Sequence, residues 1–304
     1  MTAAQIQLDV TGNNIANVNT QGYSRQRAIL EERFPVLTPF GPIGRGVGIG
    51  NIQRIRDVFL DQAYQQQAPS LGSSSVQTQY FNLLEDVFLE PSENGFGTRL
   101  DRFFDSLSDF ANNVESPPVR EALLSEGQAL AGSLSGLIGR FDQLRTNANE
   151  EVRNLVPEIN SLADRISDLN RQIRLSEGGG ANASSLRDQR GVFLDQLSQL
   201  INVTTREDSS GQVSIQIGAD VLVDSIGARD LIAFRNPALD PERNDLVELR
   251  FADDNSLVTV TNGEVFGALR IRDTVVPGLD AEIDQIAAAI IEQVNRIHSQ
   301  GNGT

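Results

Sequence analysis

The stretch VRNLVPEINSLADRISDLNRQI, residues 152–173, determines the predicted fold of this 304-residue chain. Its apolar residues recur at alternating steps of three and four. They are Val152, Leu155, Ile159, Leu162, Ile166, Leu169 and Ile173. This spacing places them in one narrow stripe along a helix, the pattern of a coiled-coil seam. We therefore predict a long helix, and the name "seam" is used below for these seven residues.

The same spacing continues toward the N-terminus, where the apolar positions are Leu130, Leu134, Leu137, Phe141, Leu144 and Ala148. As one helix, residues 130–175 would span roughly 70 Å at 1.5 Å per residue. Pro157 lies inside the seam, and because proline has no backbone N–H we expect a kink or a break there. Upstream, Ser116 followed by two prolines is typical of a helix start.

A turn and a shorter helix follow the rod. EGGGANAS, residues 177–184, is rich in glycine and predicts a flexible turn. A further apolar stripe runs from Leu186 to Ile201 and predicts a helix. Ser185 and Asp188, at the start of this stripe, have the S-x-x-D spacing of a capping box, so we expect them to cap the helix.

The hydrophobic period changes to two between about residues 203 and 266 and returns to the helical period from Leu279 to Ile297. Strands are predicted at 213–217, 222–223, 231–234, 247–251 and 257–260. We predict a mainly α fold, a long-helix coiled-coil bundle with a small inserted all-β module and an extended or partly disordered N-terminal segment. The predicted divisions are an N-terminal segment over 1–50, a helical domain over 51–202 plus 267–304, and the β module over 203–266. The last helix is expected to lie along the rod.

The N-terminal segment contains GNNIANVNTQGYSRQ, residues 12–26, which offers many amide groups and little apolar surface. NTQGY within it predicts a turn, with Gly22 free to take a positive φ. One interpretation is a frayed terminus followed by a turn. The other is a segment that orders against neighbouring subunits through amide hydrogen bonds.

Composition excludes several kinds of site. The chain has 25 basic residues, all arginine, against 41 acidic residues, a net charge of −16, no cysteine and one histidine. Disulfides, thiolate metal sites and thiol nucleophiles are therefore absent, and a two-histidine metal motif cannot be built. The negative charge disfavours nucleic-acid binding. The sequence lacks an apolar run of roughly 20 residues and a Sec-type signal pattern, so we expect no membrane partner.

Catalytic patterns are also missing from the sequence. GSLSG at 132–136 has leucine where a hydrolase nucleophile elbow needs serine, and His298 ends an amphipathic helix with no acid convergent in sequence. We expect no catalytic residues, no cofactor and no metal. Two alternatives remain open: a coiled-coil scaffold or binding module whose seam recruits a partner helix, and an acidic hydrolase with two carboxylates in a cleft.

Several segments resemble bacterial flagellar axial proteins. GNNIANVNTQGYSRQ looks like the N-terminal signature of that wider family. The ordered set of later segments is similar to the hook-associated protein 1 family of hook–filament junction subunits. These segments are GRGVGIGNIQRIRDVFLDQAY, FFDSLSDFANNVESPPVREALL, INSLADRISDLNRQI, LRDQRGVFLDQLSQLINV and NRIHSQG.

The resemblance implies a non-catalytic structural subunit that joins hook to filament by axial packing. It implies export without a Sec signal peptide, an extracellular place in the flagellum, and partners that are other copies, the hook protein and the second junction protein. The axial-assembly segment would contain Asn13, Asn14, Asn17, Gly22 and Tyr23. Relative to the family, the chain is expected to be truncated at both ends, and the site for an export chaperone is expected to be missing.

Overall fold

Seven α-helices, nine β-strands and one π-helical turn form the described part of the chain, residues 2–88, 92, 95–179, 182–243 and 245–300 of a computed structural model. The helices are α1 Ala3–Ala16, α2 Val58–Phe88, α3 Phe96–Asn112, α4 Pro117–Gly178, α5 Ser184–Leu200, α6 Glu264–Arg270 and α7 Val276–Gln300, with the π turn at Ile271–Val275. The N-terminal strands are β1 Gln26–Glu32, β2 Val36–Thr38, β3 Gly41–Ile43 and β4 Val47–Arg54. The later strands are β5 Thr204–Glu207, β6 Val213–Ile217, β7 Asp220–Val223, β8 Leu231–Arg235 and β9 Val247–Phe251. Of the described residues, 61% are helical, which confirms the mainly α prediction.

Two compact units divide the chain. The first contains Met1–Gly72 and Asn154–Gly263, and the second contains Ser73–Arg153 and Glu264–Thr304. Both α2 and α4 pass from one unit into the other, so the division cuts helices and does not follow changes in hydrophobic period. The three-part division predicted from the sequence remains a prediction.

The 62-residue helix α4 contains the predicted seam. The seven seam residues have exposed fractions between 0 and 8%. The helix starts at Pro117, as the two prolines predicted, and it continues through Pro157 as one element. Proline inside a helix costs about 3 kcal/mol. Val156 and Ile159 on either side of Pro157 are buried, and burial of such side chains supplies a compensating term of similar size.

Within the first unit, asparagine side chains join α4 to the β-strands. Asn160 Nδ2 donates to the Leu231 carbonyl at 2.9 Å, and the Leu231 N–H donates to Asn160 Oδ1 at 2.9 Å. Asn170 makes the same pair of bonds with Val213, at 2.7 and 3.1 Å. Each amide therefore pairs with strand backbone as a neighbouring strand would, which satisfies backbone groups at the strand ends.

The strands of the β module form a three-stranded antiparallel sheet, β5-β6-β7, and a hairpin, β8-β9. Residues 257–260 do not form the predicted strand. Leu257 makes only an isolated bridge to Arg250, and the following residues are irregular. Leu257 is 55% exposed, so its apolar side chain gains little from pairing at this edge.

Within the second unit, the segment that follows the β module is attached to α4 at the π turn. Arg272, which is 1% exposed, donates from Nη1 to Asn149 Oδ1 at 2.8 Å. Arg145 Nε donates to the Arg272 carbonyl at 3.0 Å. Farther along α7, Ile290 and Ile297 line a groove with α3. The last helix therefore meets the rod at its start and α3 near its end.

Candidate assembly site in the N-terminal segment

The asparagine-rich signature is held by a hydrogen-bond network inside the chain. Helix α1 continues to Ala16 and therefore carries Asn13 and Asn14. Asn14 Oδ1 accepts from the Tyr23 hydroxyl at 2.8 Å and from the Gln26 N–H at 2.9 Å, and Asn14 Nδ2 donates to the Gln26 carbonyl at 2.8 Å. Asn13 Nδ2 donates to the Tyr23 hydroxyl at 3.2 Å. These bonds fix the end of α1 against the start of β1.

The turn after α1 is closed by its own side chains. Asn17 Nδ2 donates to Asn13 Oδ1 at 2.9 Å, and Thr20 Oγ1 donates to Asn17 Oδ1 at 3.2 Å. Gly22 has φ +77°, as its place in the turn predicted. A Cβ added to Gly22 would overlap Cγ2 of Val192 on α5. Glycine is therefore required twice, by the backbone conformation and by the close approach to α5.

The segment is attached to α5 through Asp188. The Ser24 hydroxyl donates to Asp188 Oδ1 at 2.6 Å, and the Ser24 N–H donates to Asp188 Oδ2 at 3.1 Å. The predicted capping role of Ser185 and Asp188 is wrong. Helix α5 starts at Ser184 and has no side-chain cap, because its N-cap residue, Ala183, has no side-chain acceptor. Asp188 lies inside the helix and accepts from Ser24. Nothing in the local sequence signals this bond between residues 164 positions apart.

Charged groups surround the Ser24–Asp188 contact. Arg54 Nη1 lies 3.3 Å from Asp188 Oδ1. Burial lowers the pKa of Arg54, and the charge of Asp188 offsets part of this effect. Burial raises the pKa of the Tyr23 hydroxyl, and Asp188 raises it further. A charge-assisted bond to a buried serine is stronger than a neutral one, so this contact is the main polar attachment of the segment.

The neighbouring carboxylates of Asp61 and Asp195 are also held by side-chain hydrogen bonds. Arg56 Nε donates to Asp61 at 2.5 Å, and Gln65 Nε2 donates to Asp195 Oδ1 at 3.4 Å. Burial raises the pKa of Asp195. The Gln65–Asp195 bond joins α2 to α5, and the Arg56–Asp61 bond lies at the start of α2. Within the described ranges, no group of three or more acidic or histidine side chains is placed to hold a metal ion.

The N-terminal segment also presents apolar side chains to solvent. On α1, Leu8, Ile15 and Val18 just after it are 69–74% exposed. In the hairpin of β2 and β3, Phe40 is 97% exposed. Large apolar side chains exposed in this way are available to contact another protein. None of the described helices is long and apolar enough to cross a bilayer.

Unlike the exposed apolar side chains of the N-terminal segment, the seam is not open to a partner protein. Its seven side chains are buried inside the chain. Between residues 154 and 173, α4 contacts α5 and the strands. One such contact is the Arg165 guanidinium stacked over the Phe193 ring at 5.5 Å. A partner helix could reach the seam only by displacing this packing. The burial therefore argues against the alternative of a scaffold that recruits a helix through the seam.

Comparison with known families agrees with this architecture. The family model of the flagellar hook-associated protein FlgK helical domain matches residues 81–304. The chain belongs to the FlgK helical-domain family. A second family model, of flagella basal body rod proteins, matches residues 1–23, which hold α1 and most of the asparagine network.

Curated FlgK relatives and one solved FlgK structure extend the match. Flagellar hook-associated protein 1 of Bacillus subtilis is 32% identical over 218 residues, covering 69% of this chain and 43% of the relative. The protein of the same name in Escherichia coli is 29% identical over 308 residues, covering 99% and 56%. The flagellar hook junction protein FlgK from Burkholderia pseudomallei matches with TM-score 0.58 and 26% identity, covering 70% of this chain and 38% of that one. The chain spans about half the length of the curated relatives it matches.

Proposed function

We propose that this chain is a non-catalytic structural subunit that joins the flagellar hook to the filament. The observation that carries the proposal is the match of residues 81–304 to the FlgK helical domain, on a chain whose first residues match a rod-protein model. The homologues are structural flagellar proteins. The subunit acts by occupying a position in the axial polymer, with no turnover.

The mechanism follows from which surfaces are free. The hydrogen bonds of Asn14, Tyr23 and Ser24 hold the N-terminal segment on the first unit, so its apolar residues point outward in a fixed arrangement. Burial of a fully exposed apolar side chain contributes about 1.5–3 kcal/mol. Leu8, Ile15 and Val18 therefore contribute part of the free energy that holds a neighbouring subunit when they are covered together.

The proposed partners are other copies of this chain, the hook protein and the second junction protein. The proposed place is outside the cell, at the flagellum, after export by a route that does not use a Sec signal. A chain without cysteine suits this setting, because packing in the polymer stabilises the subunit without disulfides. Binding of an export chaperone by the complete protein is also proposed.

The test uses the gene in its host bacterium. Deletion of residues 13–24 should leave hooks without attached filaments and abolish swimming. Leu8→Asp with Ile15→Asp should do the same, because both side chains are more than 65% exposed and the fold should tolerate the change. The matched control is Ile226→Asp, a 92% exposed side chain in the β module.

Immunogold labelling should place the unaltered chain at the boundary between hook and filament. Blots of the secreted fraction separate failure of assembly from failure of export. Normal filaments on the deletion strain, or label elsewhere than at this boundary, would refute the proposal.

A further inference from the structure

The dipeptide Asn262–Gly263 lies directly before α6. An asparagine followed by glycine is the sequence in which the side-chain amide is lost most readily, because glycine has no side chain that keeps its backbone nitrogen away from the asparagine Cγ. The chain contains three such pairs, at 94–95, 262–263 and 302–303. The pair at 262–263 is the one in which both residues lie within the described ranges.

The glycine of this pair is required by the fold. Gly263 has φ +95°, a conformation that favours glycine. A Cβ added at this position would lie 2.5 Å from the Leu200 carbonyl oxygen and 2.7 Å from Ile201 Cα. Both contacts are with backbone, so rotation of a neighbouring side chain cannot relieve them. The packing of this turn therefore places a glycine directly after Asn262.

The groups that would react are hydrogen-bonded in the folded chain. The Gly263 N–H donates to the Pro69 carbonyl on α2 at 3.1 Å and to Asn262 Oδ1 at 3.0 Å. Asn262 Nδ2 donates to Ser70 Oγ at 3.0 Å. Loss of the amide begins when the Gly263 nitrogen loses its proton and attacks Asn262 Cγ. Because two acceptors hold that proton, the fold opposes the first step.

Asn202 holds the backbone on the other side of the pair. Its Oδ1 accepts from the Thr261 N–H at 2.9 Å and from the Asn262 N–H at 3.3 Å. Attack on Cγ closes a five-membered ring that includes the main-chain carbonyl carbon of Asn262, so the backbone there has to rotate. The bonds to Asn202 resist this rotation, and the turn must open before the ring can form.

We propose that Asn262 is a site of spontaneous deamidation that folding suppresses and unfolding exposes. In the unfolded chain the Gly263 nitrogen transfers its proton to water and bonds to Asn262 Cγ, the Cγ–Nδ2 bond breaks, and ammonia leaves. Water then opens the resulting succinimide. Cleavage between nitrogen and Cγ gives aspartate, and cleavage between nitrogen and the main-chain carbonyl carbon gives isoaspartate. The site therefore records the time that a chain has spent unfolded, whatever the function of the folded chain.

Peptide mapping by mass spectrometry tests the proposal on the whole chain, incubated in buffer and in urea. In urea the three pairs should convert at similar rates. In buffer Asn262 should convert at least about tenfold more slowly than in urea, since hydrogen bonds on both reacting groups must first break. The synthetic peptide TNGEV, measured in both solvents, corrects for the effect of urea on the chemistry. Equal corrected rates at Asn262 in buffer and in urea would overturn the inference.

The route through Gly263 has its own readout. Isoaspartyl methyltransferase, which methylates isoaspartate, should label the 262–263 peptide of the chain incubated in urea. Direct hydrolysis of the side-chain amide gives aspartate alone, so conversion without this label would show that the Gly263 nitrogen does not attack and would refute the proposal.

Two variants test whether the observed bonds provide the protection. Asn202→Ala frees two backbone groups and should raise the rate at Asn262 in buffer about tenfold, whereas Ser70→Ala frees only the side-chain amide and should raise it about threefold. The matched control is Ser209→Ala, an exposed serine between β5 and β6, which should leave the rate unchanged. Rates are measured well below the melting temperature of each variant, which separates local opening of the turn from global unfolding. Rates in both variants equal to that of the control would overturn the inference.

Discussion

Replacement of Gly22 by alanine should release the N-terminal segment from α5. Two separable effects contribute. A non-glycine residue at the observed φ of +77° costs about 1–2 kcal/mol. Overlap of the new Cβ with Cγ2 of Val192 adds about 1–3 kcal/mol, because valine in a helix has a stiff χ1 and cannot turn away freely. The expected total is about 2–5 kcal/mol.

A matched glycine separates these effects. Gly218 has φ +62° and nothing within 4 Å of an added Cβ, so Gly218→Ala should cost only the backbone part, about 1–2 kcal/mol. Adding Val192→Ala to Gly22→Ala removes the overlap and should return the steric part. A double-mutant cycle on the two positions measures that coupling directly.

The assays are urea unfolding followed by circular dichroism, and amide hydrogen exchange of residues 13–26. If the segment opens before the rest of the chain, exchange there should accelerate while the global midpoint moves less. Equal effects of Gly22→Ala and Gly218→Ala, or a cycle with no coupling to Val192, would refute the close packing of this turn on α5.

Three further predictions concern polar contacts. Asn170→Ala should lower the free energy of unfolding by about 3–5 kcal/mol, measured in urea, because it leaves Val213 backbone groups and the buried Arg190 guanidinium without an amide partner. Asp188→Ala should accelerate hydrogen exchange around Ser24 about tenfold or more, since a charge-assisted bond contributes about 1.5–3 kcal/mol. Asp195→Asn should raise the free energy of unfolding at pH 7, because burial raises the pKa of this carboxyl in the folded state and thus disfavours its charged form.

The direction of the Asp195 pKa shift provides a control for the Asp195→Asn prediction. The pKa of Asp195 is higher in the folded state than in the unfolded state, so the proton that stabilises the fold is fully bound below the unfolded-state pKa. That proton is lost as the pH rises through the folded-state pKa. The gain from Asp195→Asn should therefore vanish in acid, below the ordinary pKa of an aspartate. A gain that persists there would contradict this reasoning. For Asn170, Asn160→Ala is the matched control, since its bonds to Leu231 involve no charged group.

Local periodicity predicted the elements well because it depends on residues close in sequence. Steps of three and four between Val152 and Ile173 gave the buried face of α4, and alternation at 213–217 gave β6. At Pro157, where a kink or a break was expected, α4 continues as one element, so there is no break. The kink stays a prediction.

The candidate site was predicted only in part. Asn13, Asn14, Asn17, Gly22 and Tyr23 were singled out. The structure joins the three asparagines and Tyr23 in one hydrogen-bond network at the end of α1, and Gly22 lies in the turn beside it. Ser24 and Asp188 were missed, and Asp188 was assigned to a helix cap. A carboxylate near a helix start fits capping equally well on local grounds, so only the arrival of Ser24 decides its role.

The sequence by itself therefore determined the helical rod, the β insertion, the absence of cysteine chemistry and the resemblance to flagellar axial proteins, because each depends on composition or on short-range spacing. Tertiary structure alone decided what the seam packs against, where the asparagine-rich segment is held, and which apolar surfaces stay exposed. Such contacts join residues more than a hundred positions apart, as Ser24 and Asp188 are. Their formation depends on how whole elements meet, and no local preference encodes it.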